Sequence, residues 1–297
     1  MEDIELRKEV GKASVDAMLK AKELIVPGAG ILNVAEHTEA YLRGIGFGLA
    51  FPINLSINSH AAHYAPSYGD TATFSDGDIV KIDFGAERDG MLGDGAISIQ
   101  IGDAQSKIIE AANAALEGAL SIIRANAKVC DIGREIDRIA QGYGFNVIKN
   151  LGGHGVEDND LHHGLFIPNY DNKDDTILEE GMVIAIEPFL TTGIGMVEDG
   201  EECEIYSFID HANVRSPIAR ALQEEIEKNY GSNPFAARWL YPLAKSKFAL
   251  YAAISELSRA GALEPHPVLI EASRGDVAQA EAEVLVEKDG YIPITKI

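Results

Sequence analysis

The sequence predicts an α+β fold made of two similar helix-and-strand halves around a shared, curved, mainly antiparallel sheet, with a functional site between the halves. Three observations carry this. A pair of helical stretches recurs at an offset of about 98 residues, and each pair ends in a similar turn, Gly44-Ile45-Gly46-Phe47 and Gly142-Tyr143-Gly144-Phe145. GDIVKIDF at 77–84 matches GMVIAIEP at 181–188, which superposes Asp83 on Glu187. His63 in AAHY falls in the same way on His162 in DLHHG, so each half brings one histidine and one carboxylate to related positions.

Taken in order, residues 5–24 carry Leu6, Val10, Ala13, Val15, Met18 and Leu19 at helical spacing and stop before Pro27-Gly28, a helix-ending pair. A second helix is expected over 31–44, and two more near 105–124 and 130–141. The segment 211–272 differs in texture and reads as an insertion, leaving 1–210 and 273–297 as the main domain. Within it an amphipathic helix, Ser246 to Ala260, is followed by Gly261 and a short strand around Pro267 to Ile270, a pattern compatible with a winged-helix module. It holds seven Lys or Arg against six Asp or Glu, nearly neutral in an acidic chain, so it is where a partner surface is expected; the plainer reading is a cap on one side of a pocket.

At 297 residues and 46% hydrophobic content the chain can bury a large core. No apolar run reaches membrane-spanning length and the start is acidic, so a soluble, cytoplasmic protein is expected. Cys130 and Cys203 are too few for a disulfide framework and lack zinc-finger spacing. The formal charge of −22 argues against general nucleic-acid binding and fits a cation site. No nucleophile elbow or phosphate-binding loop is present, and neither cysteine has a protease-like context.

Chemistry is signalled by carboxylates inside apolar strands: Asp83 interrupts Ile79-Val80-Lys81-Ile82 and Glu187 follows Val183-Ile184-Ala185-Ile186. Burying an ionised carboxylate costs several kcal/mol unless it is paired or binds a cation. Asp94 follows Asp83 across Glu87-Arg88-Asp89-Gly90; with a four-residue loop there, 83 and 94 stand opposite each other on one face, whereas a turn centred on Asp89-Gly90 misaligns them. His154 sits among glycines in GGHGVE, and Glu281 lies in VAQAEAEVLVEK, where Glu283 shares its strand face and spacing does not choose between the two. Two Asp, two Glu and one His suit a pair of Mn, Fe, Co or Zn ions clamping a water for hydrolysis.

FPINLSINSHAAHY at 51–64, KIDFG with Asp94, GGH with a histidine eight residues on, AIEPF at 185–189, NPFAARWL at 233–240 and VAQAE at 277–281 together resemble the type 2 methionine aminopeptidases, most closely the short archaeal forms, nearly end to end. The resemblance implies the pita-bread fold and a metalloaminopeptidase that removes the N-terminal methionine of nascent proteins, with preference for a small second residue and two divalent metal ions. It implies Asp83 chelating one ion, Asp94 and Glu281 bridging both, and His154 and Glu187 completing the other, which prefers Glu281 to Glu283. Glu187 would also serve as general base, His63 and His162 would contact substrate and stabilise the tetrahedral intermediate, and Phe51, Leu161, His266 and Leu269 would shape the methionine pocket. A monomer is expected, and the insertion is compatible with a transient ribosome contact.

Three departures stand out. Ala282-Glu283 replaces the common His-Thr, His266 stands where a tyrosine is common, and Glu157-Asp158-Asn159-Asp160 is unusually acidic. A proline-specific peptidase shares the ligand set but not the insertion or the AAHY context. A catalytically dead relative with a binding role would have lost ligands, and all five are retained.

Overall fold

The computed structural model describes residues 2–102 and 106–296; the expected helix start at 105 and the outermost terminal residues lie outside them. Helices α1 (Glu2–Leu24) and α2 (Ile31–Gly44) form one pair, and α3 (Lys107–Leu120) and α4 (Val129–Tyr143) the other. Val10, Ala13, Ala17, Met18 and Ala21 recur every three or four residues and make the buried stripe of α1. The two second helices stop alike: Gly46 and Gly144 take φ of 87° and 85°, and the next amide in each, Phe47 or Phe145, reaches back to the carbonyl of Leu42 or Ala140. This left-handed stop favours glycine, which is why the same turn spelling recurs at the same place in both halves.

Every strand pairing among the described residues is antiparallel. The largest sheet orders its strands Asp160–Pro168, Gly152–Glu157, Val183–Ile186, Ala282–Glu287 and Gly290–Pro293. In the other half Ile79–Asp83 lies between Asn54–Ile57 and Ala96–Gln100. The strands that align in sequence, Ile79–Asp83 and Val183–Ile186, are thus both flanked on either side by a partner. Rather than one continuous sheet, the chain forms this five-stranded sheet and several three-stranded ones.

Alternation along these strands separates core from site. Val80 and Ile82 pack with Val10, Met18, Val34 and Leu42 beneath α1 and α2. Ile184 and Ile186 pack with Ile108, Leu116, Ile132 and Ile136 beneath α3 and α4. Each fully buried side chain of this kind stabilises the fold by about 1.5–3 kcal/mol. Ala185 faces the other way, against Phe51 and Leu161, and the carboxylates Asp83 and Glu187 follow on that helix-free face.

A third core belongs to α5 (Pro217–Asn229), α6 (Tyr241–Ala244) and α7 (Lys247–Arg259), packed on Ile205–Phe208, Phe235–Ala236 and Leu263–His266. Ser216 and Ser246 cap α5 and α7 by accepting from Ala219 and Ala249. The strand expected at Pro267–Ile270 is split: Leu263–His266 pairs with Ile205–Phe208, while Leu269–Glu271 pairs with Val197–Asp199 and His60–Ala62. Pro267, with no N–H to give a ladder, sits at the break. This unit is pinned to α2 by a buried ion pair between Arg238 and Glu39, whose second oxygen accepts from the Trp239 indole at 2.8 Å, while Arg238 also donates to the Pro66 carbonyl at 3.2 Å. Glu39→Ala strands both donors in a dry interface and should destabilise the protein by about 3–5 kcal/mol; an unshifted urea midpoint would show that the anchor is not needed.

Candidate metal centre

A cavity of about 390 Å³ opens on the helix-free face, and its lining includes Asp83, Asp94, His154, Glu187 and Glu281. The carboxylates sit at strand ends or breaks. Asp83 closes Ile79–Asp83, Glu187 falls between Val183–Ile186 and Phe189–Thr191, and Glu281 falls between Val277–Gln279 and Ala282–Glu287. Asp94 lies between Met91–Leu92 and Ala96–Gln100. His154 is inside its strand, next to Ala185 on one side and Phe166 on the other. Gly153 and Gly155 flank it where a Cβ would run into the carbonyls of Ala185 and His163, so only glycine lets the neighbouring strands close around the imidazole.

Asp83 and Asp94 are not register partners. The hairpin turns on two residues, Asp89 and Gly90, at φ of 53° and 86°, so Asp83 faces Ala96 instead. The shift is two residues, an even number, and the two carboxylates therefore keep the same face and still meet in the cavity.

Asp94, His154 and Glu281 bring ligand atoms within 4.8 Å of one another, and His154 Nε2 lies 3.4 Å from Asp94 and 3.5 Å from Glu187. His154 Nδ1 donates to the Gly155 carbonyl at 3.0 Å, which aims Nε2 at the carboxylates. The Gln279 amide lies 3.4, 3.5 and 3.2 Å from Asp83, Glu187 and Glu281. Burial, then the charge of Asp94, pushes Asp83 up to about 8. Burial and neighbouring carboxylates raise Glu187 and Glu281 well above the usual range. Burial alone would lower His154, but Asp94 and Glu187 outweigh it and hold the imidazole up at about 9. Such a cluster needs positive charge, and its oxygen-rich donor set with one nitrogen fits divalent metal ions.

His63 and His162 line the same cavity; burial, with other histidines nearby, lowers both to about 4, so they are neutral at pH 7. His63 holds a left-handed backbone, φ 63°, and its Nδ1 donates to the Pro267 carbonyl at 3.3 Å. Phe51, Leu161 and His266 also line the cavity, His266 with Nε2 2.8 Å from the Ser207 hydroxyl. Leu269 does not: its strand pairs with Ala62, and it packs with Ile148, Phe189 and Val277 behind that wall. The acidic run 157–160 forms an outer hairpin turn, where Asp158 pairs with Arg7 and Asp160 with His163. Sequence reasoning missed Gln279, though its alternation with Glu281 in VAQAE was a usable signal. It also missed Arg7 and Thr295, which only the fold brings near the site.

A model of metallopeptidase family M24 matches residues 5–226. The methionine aminopeptidase of Archaeoglobus fulgidus is 44% identical over 288 residues, covering 97% of this chain and 97% of its own. Among solved structures, a thermophilic Arx1 matches with a TM-score of 0.85 at 18% identity, covering 97% of this chain and 89% of that one. The methionine aminopeptidase of Thermotoga maritima matches with a TM-score of 0.71 at 22% identity, covering 98% and 95%. Those two likenesses speak for the fold alone, the pita-bread arrangement. With the family model spanning most of the chain and a relative this similar along its whole length, the chain belongs to metallopeptidase family M24.

Proposed function

We propose that this chain is a metal-dependent aminopeptidase that releases the first methionine of new proteins, with preference for a small second residue. The observation that carries this reading is the meeting of four carboxylates and His154 in a cavity otherwise walled largely by apolar side chains, among them Phe51, Leu161 and Phe166. In this reading Asp83 would help to hold one divalent ion, His154 and Glu187 a second, and Asp94 and Glu281 would serve both; Co, Mn, Fe and Zn all suit the donors. Divalent ions held there would polarise the scissile carbonyl and make water a better nucleophile.

The chain's own groups divide the remaining work. Glu187 takes the proton of the attacking water. His63, with its Nδ1–H committed to Pro267, presents Nε2 as an acceptor and can receive the N–H of the scissile amide. His162, neutral and beside His154 at 4.3 Å between ring centres, is free to donate to the carbonyl oxygen as charge builds there. The apolar wall takes the unbranched thioether side chain, with Leu269 backing it. The segment 211–272 acts as an inserted winged-helix-like subdomain and contributes Pro234 and His266 to the cavity rim. A cytoplasmic monomer with a transient ribosome contact completes the proposal.

Protein stripped of metal and resupplied with Mn, Co, Fe or Zn should release methionine from Met-Gly-Met-Met faster than from a Met-Leu peptide. Release from an Xaa-Pro control alone, or none with any metal, would overturn the assignment. Glu187→Gln should lower kcat by about 10²–10⁴-fold with the fold intact, and wild-type turnover in that variant would remove it as base. Because Asp83 is held up at about 8, it carries a proton at neutral pH that a metal must displace. Metal affinity should therefore rise with pH through this range and fall below it, with proton release visible by calorimetry in buffers of different ionisation enthalpy; binding without proton release would contradict the charge balance described above.

A further inference from the structure

Asp94 sits in a Gly93-Asp94-Gly95 break between two short strands; the flanking glycines keep backbone bonds to Ala86 and Phe84, but the N–H and carbonyl of Asp94 itself join no ladder. Two side chains, Glu283 on the Ala282–Glu287 strand and Thr295 just after Gly290–Pro293, hold these two groups. The buried Glu283 accepts the Asp94 N–H at 2.8 Å, and the Thr295 hydroxyl donates to the Asp94 carbonyl while accepting the Glu283 N–H at 2.7 Å. Both polar groups of the Asp94 backbone are thereby held. Glu283 is opposite Ala185, which is opposite His154, so the three lie in a row across adjacent strands on the face that carries the site. It is nonetheless absent from the cavity lining, standing behind Asp94. Its other oxygen lies 3.7 Å from Arg7 on α1, and Arg7 also pairs with Asp158 at 2.8 Å in the hairpin whose strands carry His154 and His162.

We propose that Glu283 is a positioning residue: with Thr295 it clamps the backbone of Asp94 so that this carboxylate points into the metal site, while Arg7 holds Glu283 in place and ties the clamp to the histidine-bearing hairpin. The inference rests on the metal reading of the site. It also gives the acid at 283, a departure from the common threonine, a task distinct from ligation. An unanchored Glu283 would swing as a competing carboxylate; with one oxygen on the Asp94 amide and the other toward Arg7, it acts through Asp94 instead.

The test measures Mn(II) affinity by calorimetry, alongside the melting temperature of the metal-stripped protein, for Glu283→Met, Glu283→Gln and Thr295→Val. Outer partners of metal ligands typically contribute 10–100-fold to affinity. Glu283→Met, which lacks an acceptor, should weaken Mn(II) binding by about that factor, whereas Glu283→Gln, which keeps an oxygen for the Asp94 N–H, should stay within about threefold of the unsubstituted protein. Equal affinity in the Met variant, or equal loss in the Gln variant, overturns the proposal. Should the Met variant fail to fold, Thr295→Val tests the other arm of the clamp, and unchanged affinity there overturns it as well. Failure of the unsubstituted chain to bind Mn(II) would bring down the metal reading itself and this inference with it, an outcome distinct from the others.

Discussion

Mutual repulsion among buried carboxylates is the constraint around which the rest of the structure is arranged. Asp83, Asp94, Glu187 and Glu281 converge where water is scarce, and burial together with the charge of neighbouring carboxylates makes Asp83, Glu187 and Glu281 harder to ionise. Such a cluster persists only because strands on the far side are locked by apolar packing beneath four helices, and because it is stabilised once positive charge enters. His154, one amide of Gln279 and the two-sided hold on Asp94 serve one end: keeping like charges close in a geometry that a cation can use.

The same constraint explains what could be read in advance. An acid directly after Ile-Val-Lys-Ile or Val-Ile-Ala-Ile is costly to bury, so Asp83 and Glu187 stood out, and their alignment at equal places in a repeat exposed the duplicated fold. Glycines around His154 were legible for a similar reason, since strand closure leaves no room for a Cβ there. Register was harder. The two-residue turn at Asp89-Gly90 moved Asp94 off the position opposite Asp83, and its place on the right face survived only because the shift was even.

What stayed hidden depends on contacts between distant parts of the chain. Nothing around Arg7 or Thr295 advertises a role, because Arg7 acts on Glu283 and Asp158 and Thr295 reaches Asp94, all well over a hundred positions away. Leu269 shows the reverse failure: a residue in a promising position turned aside because Pro267 splits the strand and the next segment pairs with Ala62. Spacing also left Glu281 and Glu283 indistinguishable. The fold separates them by depth, one facing the cavity and the other behind Asp94.

The spread of the cavity's acids and histidine along the sequence also sets an order of events during synthesis. Asp83 and Asp94 emerge first, His154 and Glu187 later, and Glu281 with Thr295 last. Local helix pairs can form as they appear, but the long-range pairings of Val183–Ile186 with Ala282–Glu287 must wait. A growing chain therefore carries an incomplete acidic cleft until the Ala282–Glu287 strand pairs with Val183–Ile186 and brings Glu281 beside the other acids. A chain cut short before that strand lacks Glu281 and leaves the Val183–Ile186 edge without its Ala282–Glu287 partner, so fold and acidic cleft are completed by the same segment.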